Sequence, residues 1–146
     1  MKTILVFLDG TICDTRHRNH LFGTDAFYLS ENVLHDIPTE GSVAFLNELA
    51  VTYWLVYIGA RPNSLMDLTE QWLRSTGFPQ GDIYLGETQA KRMQIVSSLK
   101  PLYDFVAGIG DRWDDNELHL ELGCQSFILQ EYAPNWNTVK RYLPTP

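Results

Sequence analysis

Cysteine is scarce in this chain and an excess of positive charge is absent, and each shortage closes off a class of function. The 146 residues include two cysteines, Cys13 and Cys124. They lie far apart, match no metal-ligand spacing, and have no neighbour that would mark either as a nucleophile, so two free thiols in a reducing compartment are expected. Lys and Arg number 11 against 18 Asp and Glu, a formal charge of −7. That balance argues against a nucleic-acid groove binder, which needs a basic face. It leaves room for one phosphorylated nucleic-acid end held by a few local cations. Long hydrophobic runs are also missing: Ile4–Leu8 is too short for a signal-peptide core and nothing later approaches a membrane span. A cytoplasmic protein without a membrane partner is expected. Repeats, low-complexity tracts and interdomain linkers are lacking as well.

What is present is a core. The hydrophobic fraction of 45% suits one ordinary globular domain over residues 1–146. Ile4–Leu8, Tyr53–Ile58 and Phe105–Ile109 are continuous apolar runs, the pattern of strands buried on both faces in a parallel sheet. Asp82–Leu85 and Ser126–Leu129 are weaker candidates. Between them fall helical patterns: Val43, Leu46, Leu49 and Ala50; Leu65, Leu68, Trp72 and Leu73, stopped by Gly77; Met93, Val96 and Leu99; Leu118 to Leu122, stopped at Gly123; and Trp136–Leu143. Alternating strands and helices predict an α/β three-layer sandwich with a central parallel sheet. Residues 13–38 interrupt the alternation and read as a flap or small cap, helical around Asp25–Leu34.

Chemistry concentrates where the apolar runs stop. In open parallel sheets, ligands bind outside the carboxyl ends of the strands. Three runs end in polar, glycine-containing turns: Asp9-Gly10-Thr11, Gly59-Ala60-Arg61-Pro62, and Gly110-Asp111-Arg112-Trp113-Asp114-Asp115. Gathered at one edge, they make a crater lined with carboxylates, within reach of Lys91 from the third helix. Taken singly, Asp-Gly is an ordinary turn, and carboxylates after Gly110 suit any helix N-terminus. The set, in this order, carries the signal.

That ordered set resembles the haloacid-dehalogenase (HAD)-like hydrolase superfamily, whose strands end in Asp-x-Asp-Gly-Thr, then Ser or Thr, then a lysine, then Gly-Asp with a further Asp. Here the positions read Phe7-Leu8-Asp9-Gly10-Thr11, Gly59, Lys91, and Gly110-Asp111 with Asp114 and Asp115. Arg61-Pro62, Thr69-Glu70-Gln71-Trp72-Leu73 and Asp14-Thr15-Arg16-His17-Arg18 are similar to the small-cap phosphatases of the polynucleotide 3′-phosphatase type. The resemblance implies a HAD-like Rossmannoid fold and Mg²⁺-dependent phosphoryl transfer. It implies that Asp9 is general acid and base, that Gly10, Thr11, Gly59 and Lys91 hold the phosphate, and that Asp9, Asp111 and Asp115 (or Asp114) hold the metal.

Two positions break the pattern. Phe7 stands where the attacking aspartate belongs, and a phenyl ring neither attacks phosphorus nor binds Mg²⁺. Gly59 replaces the hydroxyl of the second motif. Loss of the nucleophile predicts little or no phosphomonoesterase activity and weak Mg²⁺ affinity. The expectation is a degenerate phosphatase that binds a phosphorylated ligand or a protein partner. The alternatives are an active hydrolase of altered chemistry that uses Asp9, and a non-catalytic interaction module. Arg16, His17 and Arg18 read as flap surface charges, with a phosphate clamp as the sharper option. His20, His35 and His119 read as structural, Trp54 and Trp72 as packing residues, and Trp113 as either a packing residue or a wall of the site.

Overall fold

Alternation along the first strand decides how the molecule is layered. In the computed structural model, which describes residues 1–143, five parallel strands form one sheet in the order β5-β4-β1-β6-β7. The strands are β1 Lys2–Phe7, β4 Trp54–Gly59, β5 Asp82–Leu85, β6 Asp104–Gly110 and β7 Gln125–Ile128. The last positions of the expected domain, 144–146, lie outside the described residues.

Successive β1 side chains point to opposite faces. Ile4, Val6 and Leu8 enter one core with helices α2 (Ser42–Leu49), α3 (Met66–Thr76) and α6 (Trp136–Tyr142). Leu5 and Phe7 enter a second core with Val56 and Ile58, under α4 (Gln89–Leu99) and α5 (Trp113–Leu122). Burial on both faces is why these strands are continuously apolar. The three-layer α/β sandwich expected from the sequence is the one observed. Helix α3 ends at Gly77, whose φ of 94° is open to glycine at little cost.

The chain runs from β1 outward to β4 and β5, then returns to the other side of β1 for β6 and β7. This reversal splays the loops at the central strands and opens a crevice at their carboxyl ends.

From residues 13–38, Thr15, Asn19, Phe22, Phe27 and Tyr28 line that crevice. A short antiparallel pair, β2 (Cys13–Asp14) with β3 (Ile37–Pro38), closes the base of the flap. The helix expected around Asp25–Leu34 is broken into a 3₁₀ turn, Asp25–Tyr28, and a single helical turn, α1 (Ser30–Val33). Leu29 between them is extended, with φ −64° and ψ 142°. The break lets Phe27 and Tyr28 face the crevice while Val33 stays fully buried in the core.

Candidate functional site

The ends of β1, β4 and β6 meet around a crater of about 430 Å³, roofed by the flap and by the loop after β7. Phe7, Asp9, Arg61, Arg92 and Asp115 form its base; Phe22, Phe27, Tyr28 and Tyr132 form aromatic walls.

Phe7 owes its place to the strand. Residue 7 belongs to the α4/α5 face with Leu5, and its side chain is 5% exposed, packed into that core at the crater floor. The ring both fills the apolar core and occupies the position expected for a nucleophile.

Asp9 is also committed. Its carboxylate accepts hydrogen bonds from Arg61 Nε at 3.0 Å and the Ala60 amide at 3.2 Å, with Arg18 Nη2 at 3.7 Å. Burial alone would raise its pKa, but Arg61, Arg18 and the Ala60 amide outweigh burial and hold it below the ordinary value. In this arrangement the two guanidinium groups favour the carboxylate form of Asp9. Behind it, Asp36 is fully buried and accepts from Arg18 Nε and Nη2, both at 2.8 Å, and from Arg61 Nη2 at 3.3 Å. His17 Nε2 sits 2.8 Å from the same carboxylate. The surface reading of Arg18 is thus corrected: it is 1% exposed and ties the flap to the core. Arg16 does stay on the surface, paired with Asp14.

Gly10 turns with φ 92°, and a Cβ there would lie 2.5 Å from Asp111 Oδ2, so only glycine lets the two turns approach this closely. Thr11 does not face the crater as a phosphate ligand; it is fully buried and donates to Asp111 Oδ1 at 2.7 Å. Asp111 Oδ2 is buried without a hydrogen-bond partner. Desolvation, helped by Asp115 and Glu131, pushes Asp111 up to about 7 against the Thr11 hydrogen bond. Asp115 Oδ2 accepts from the amides of Asp111 and Arg112 at 2.9 and 3.2 Å, capping α5, and burial still pushes it up to about 6.

These donors do not fit a divalent cation. Mg²⁺ requires several oxygens around it, carboxylates among them. Phe7 supplies none, Asp9 is engaged by two guanidinium groups, and Asp115 serves as a helix cap. Asp111 keeps one oxygen without a hydrogen bond, 3.7 Å from Arg112 Nε and packed against Gly10. Asp9, Cys13 and Asp36 do bring ligand atoms within 4.8 Å of one another. There the charge is already met by Arg18 and Arg61, and burial drives the Cys13 thiol well up, so it stays protonated.

Gly59 faces inward, where a Cβ would meet Leu8 Cδ1 at 2.8 Å. Lys91 is not at the crater: it is exposed and lines a separate shallow depression beside Asn63 and Met66. The adjacent Arg92 takes that place, 7% exposed, with its guanidinium 5.9 Å from the centre of the Phe7 ring. Burial lowers its pKa, and Asp115, Asp114 and Asp9 only partly oppose this. The sequence itself carried the clue, because Arg92 precedes Val96 by four and Leu99 by seven and so shares their inward face.

Tyr132 was also missed. It is a non-glycine residue with φ 63°, its amide donates to the Gly10 carbonyl, and its hydroxyl accepts from Asn19 at 2.8 Å. A left-handed backbone held this way marks a position fixed by its surroundings. Trp113 neither packs nor walls the site; it is 77% exposed. Trp72 is a core residue, and His119 is a structural one, buried and bonded to Ser126 Oγ.

No protein-family model matches the chain, and no curated protein matches it in sequence. Solved structures do. A haloacid dehalogenase-like family hydrolase from Streptococcus pneumoniae superposes with a TM-score of 0.68 at 15% identity, covering 97% of this chain and 91% of that one. A HAD family enzyme from Bacteroides thetaiotaomicron, in complex with magnesium and inorganic phosphate, gives 0.63 at 10% identity, with 95% and 98% covered. A chain of the Pnkp1/Rnl/Hen1 RNA repair complex gives 0.67 at 19% identity over 89% of this chain. This chain spans only 42% of that one. The fold is HAD-like, as the sequence motifs implied. Among the described residues no helix is long and apolar enough to cross a membrane.

Proposed function

We propose that this domain is a degenerate HAD-like phosphatase, cytoplasmic, that holds a phosphate-bearing ligand or partner in its crater and hydrolyses phosphomonoesters slowly or not at all. One observation carries the reading: the position that needs an attacking carboxylate is a phenyl ring built into the hydrophobic core. Removal of a nucleophile costs about 10⁶ in turnover in a comparable covalent mechanism. Asp9 is a poor substitute, since attack by its carboxylate would require release from Arg61 and the Ala60 amide. Arg61 and Arg92 in the crater lining support phosphate binding, whereas the Gly10 and Ala60 amides are already bonded, to the Cys13 carbonyl and the Asp9 carboxylate. The ligand classes that fit this reading are a phosphorylated small molecule, a phosphorylated nucleic-acid end and a phosphorylated protein, an end group rather than a duplex given the acidic charge.

The test is a steady-state assay with 4-nitrophenyl phosphate and Mg²⁺, beside equilibrium binding of inorganic phosphate. Background hydrolysis with measurable binding is expected. Turnover in the ordinary enzymatic range that disappears in Asp9→Asn would establish the altered hydrolase instead, and absence of all phosphate binding would leave an interaction module.

A further inference from the structure

Arg92 is the crater cation without an acidic partner among the described residues. Arg61 is taken by Asp9 and Asp36, and Arg112 by Glu131 at 2.7 Å. Arg92 donates from Nη1 to the Gly86 carbonyl at 2.7 Å and from Nη2 to Gln89 Oε1 at 3.2 Å. Its Nε is buried with no hydrogen-bond partner. A buried guanidinium with no carboxylate in contact is costly, and an oxyanion arriving beside it offsets that cost. The Phe7 ring beneath it supplies a cation–π surface that fixes the guanidinium in place.

The walls define the remainder of the ligand. Phe22 is 75% exposed at the flap tip, edge-on to Phe27 at 5.3 Å, and Phe27 is edge-on to Tyr28 at 4.8 Å. The crater therefore offers one buried cation with no carboxylate in contact, Arg92, and aromatic rings toward its mouth, with Phe22 the most exposed of them.

We infer that the crater binds an aromatic phosphomonoester intact and without a divalent cation, its phosphate on Arg92 and its ring against Phe22, Phe27 and Tyr28. The inference rests on the phosphate-binding, non-hydrolytic reading above and narrows it to one chemical class and one cation.

The experiment is calorimetric titration of the folded protein with phenyl phosphate, methyl phosphate and inorganic phosphate, each in EDTA and in Mg²⁺. Phenyl phosphate is expected to bind equally in both buffers and about tenfold more tightly than methyl phosphate, a ring contact's worth. Arg92→Gln should weaken both esters at least about tenfold, as loss of a charged hydrogen bond does. Arg92→Lys, checked by circular dichroism, covers the case in which the glutamine variant misfolds. Phe22→Ala, at an exposed position, should reduce the preference for phenyl over methyl phosphate. Binding that requires Mg²⁺, or survives both Arg92 substitutions in folded protein, overturns the inference. Equal affinity for the two esters overturns it too, yet leaves the phosphate-binding reading standing. Release of phenol at enzymatic rates overturns the non-hydrolytic reading and with it intact binding; silence from all three ligands overturns both.

Discussion

Replacing Phe7 with aspartate tests the central claim, because it returns the missing carboxylate and removes a core side chain in one step. Phe7 is 5% exposed and packs among Leu5, Val56, Ile58, Val96 and Leu118. Truncating a buried phenylalanine costs about 3–5 kcal/mol, and a carboxylate refills little of that space. Arg92, over the present ring, is placed to offset part of the new charge. The substitution is therefore expected to destabilise the metal-free protein by about 3–5 kcal/mol, which lowers Tm by roughly 6–20 °C in a domain of this size. Mg²⁺ at a hundred times its Kd would return about 2.7 kcal/mol. Differential scanning calorimetry of parent and variant, each with and without Mg²⁺, reads all four states. The parent should show no Mg²⁺ shift and the variant a clear one. A parent stabilised by Mg²⁺ as strongly as the variant would refute the claim that the ring is among the features that spoil the metal site. An unchanged Tm in Phe7→Asp would refute the packing argument. Adding Gly59→Thr should lower stability by about a further 1–3 kcal/mol, because the new Cβ has Leu8 Cδ1 at 2.8 Å.

Other perturbations probe the supports of the crater. Asp36→Ala leaves Arg18 and Arg61 buried with Asp9 as their remaining acidic partner, and urea unfolding should register a loss of about 3–5 kcal/mol. Tyr132→Phe removes the hydroxyl contacts to Asn19 and Thr15, and amide exchange over residues 15–21 should quicken as about 1–2 kcal/mol of protection is lost. Burial holds His119 down at about 4. Its contribution is present above the unfolded histidine value and fades as pH falls from about 6.5 toward 4, an effect of about 3 kcal/mol. Asp111 and Asp115 act in the opposite sense, since their raised values favour the fold at low pH and that support is lost as pH rises through about 6 to 7. The comparison of wild type with His119→Gln in denaturant melts at pH 7 and pH 4 isolates the histidine: the difference between them should shrink at pH 4, and a constant difference would refute it.

The layered fold was legible because each strand is apolar along its whole length and ends in a polar turn, which fixes element type and the edge where chemistry collects. Phe7 and Gly59 were legible as departures for the same reason. Lys91 was misplaced by one residue, and on a helix one residue is a rotation of about 100°. The inward phase of Val96 and Leu99 selects Arg92, so that error was correctable from periodicity. Asp36 and Tyr132 were not recoverable this way. Asp36 reaches Arg61 across 25 residues and Tyr132 reaches Asn19 across 113, and neither pairing leaves a local pattern. The helix expected over Asp25–Leu34 failed because the aromatic residues there serve the crater rather than a helical face.

The shared use of Asp36 by Arg18 on the flap and Arg61 on the core has a mechanical meaning. Lifting the flap would break the Asp36–Arg61 contact at 3.3 Å and the Arg18–Asp9 contact at 3.7 Å, while the Arg18–Asp36 and Arg61–Asp9 pairs would stay together on their own sides. With the Trp72 indole bond to the Asp36 carbonyl at 2.8 Å, these contacts join residues 13–38 to the sheet and helices below.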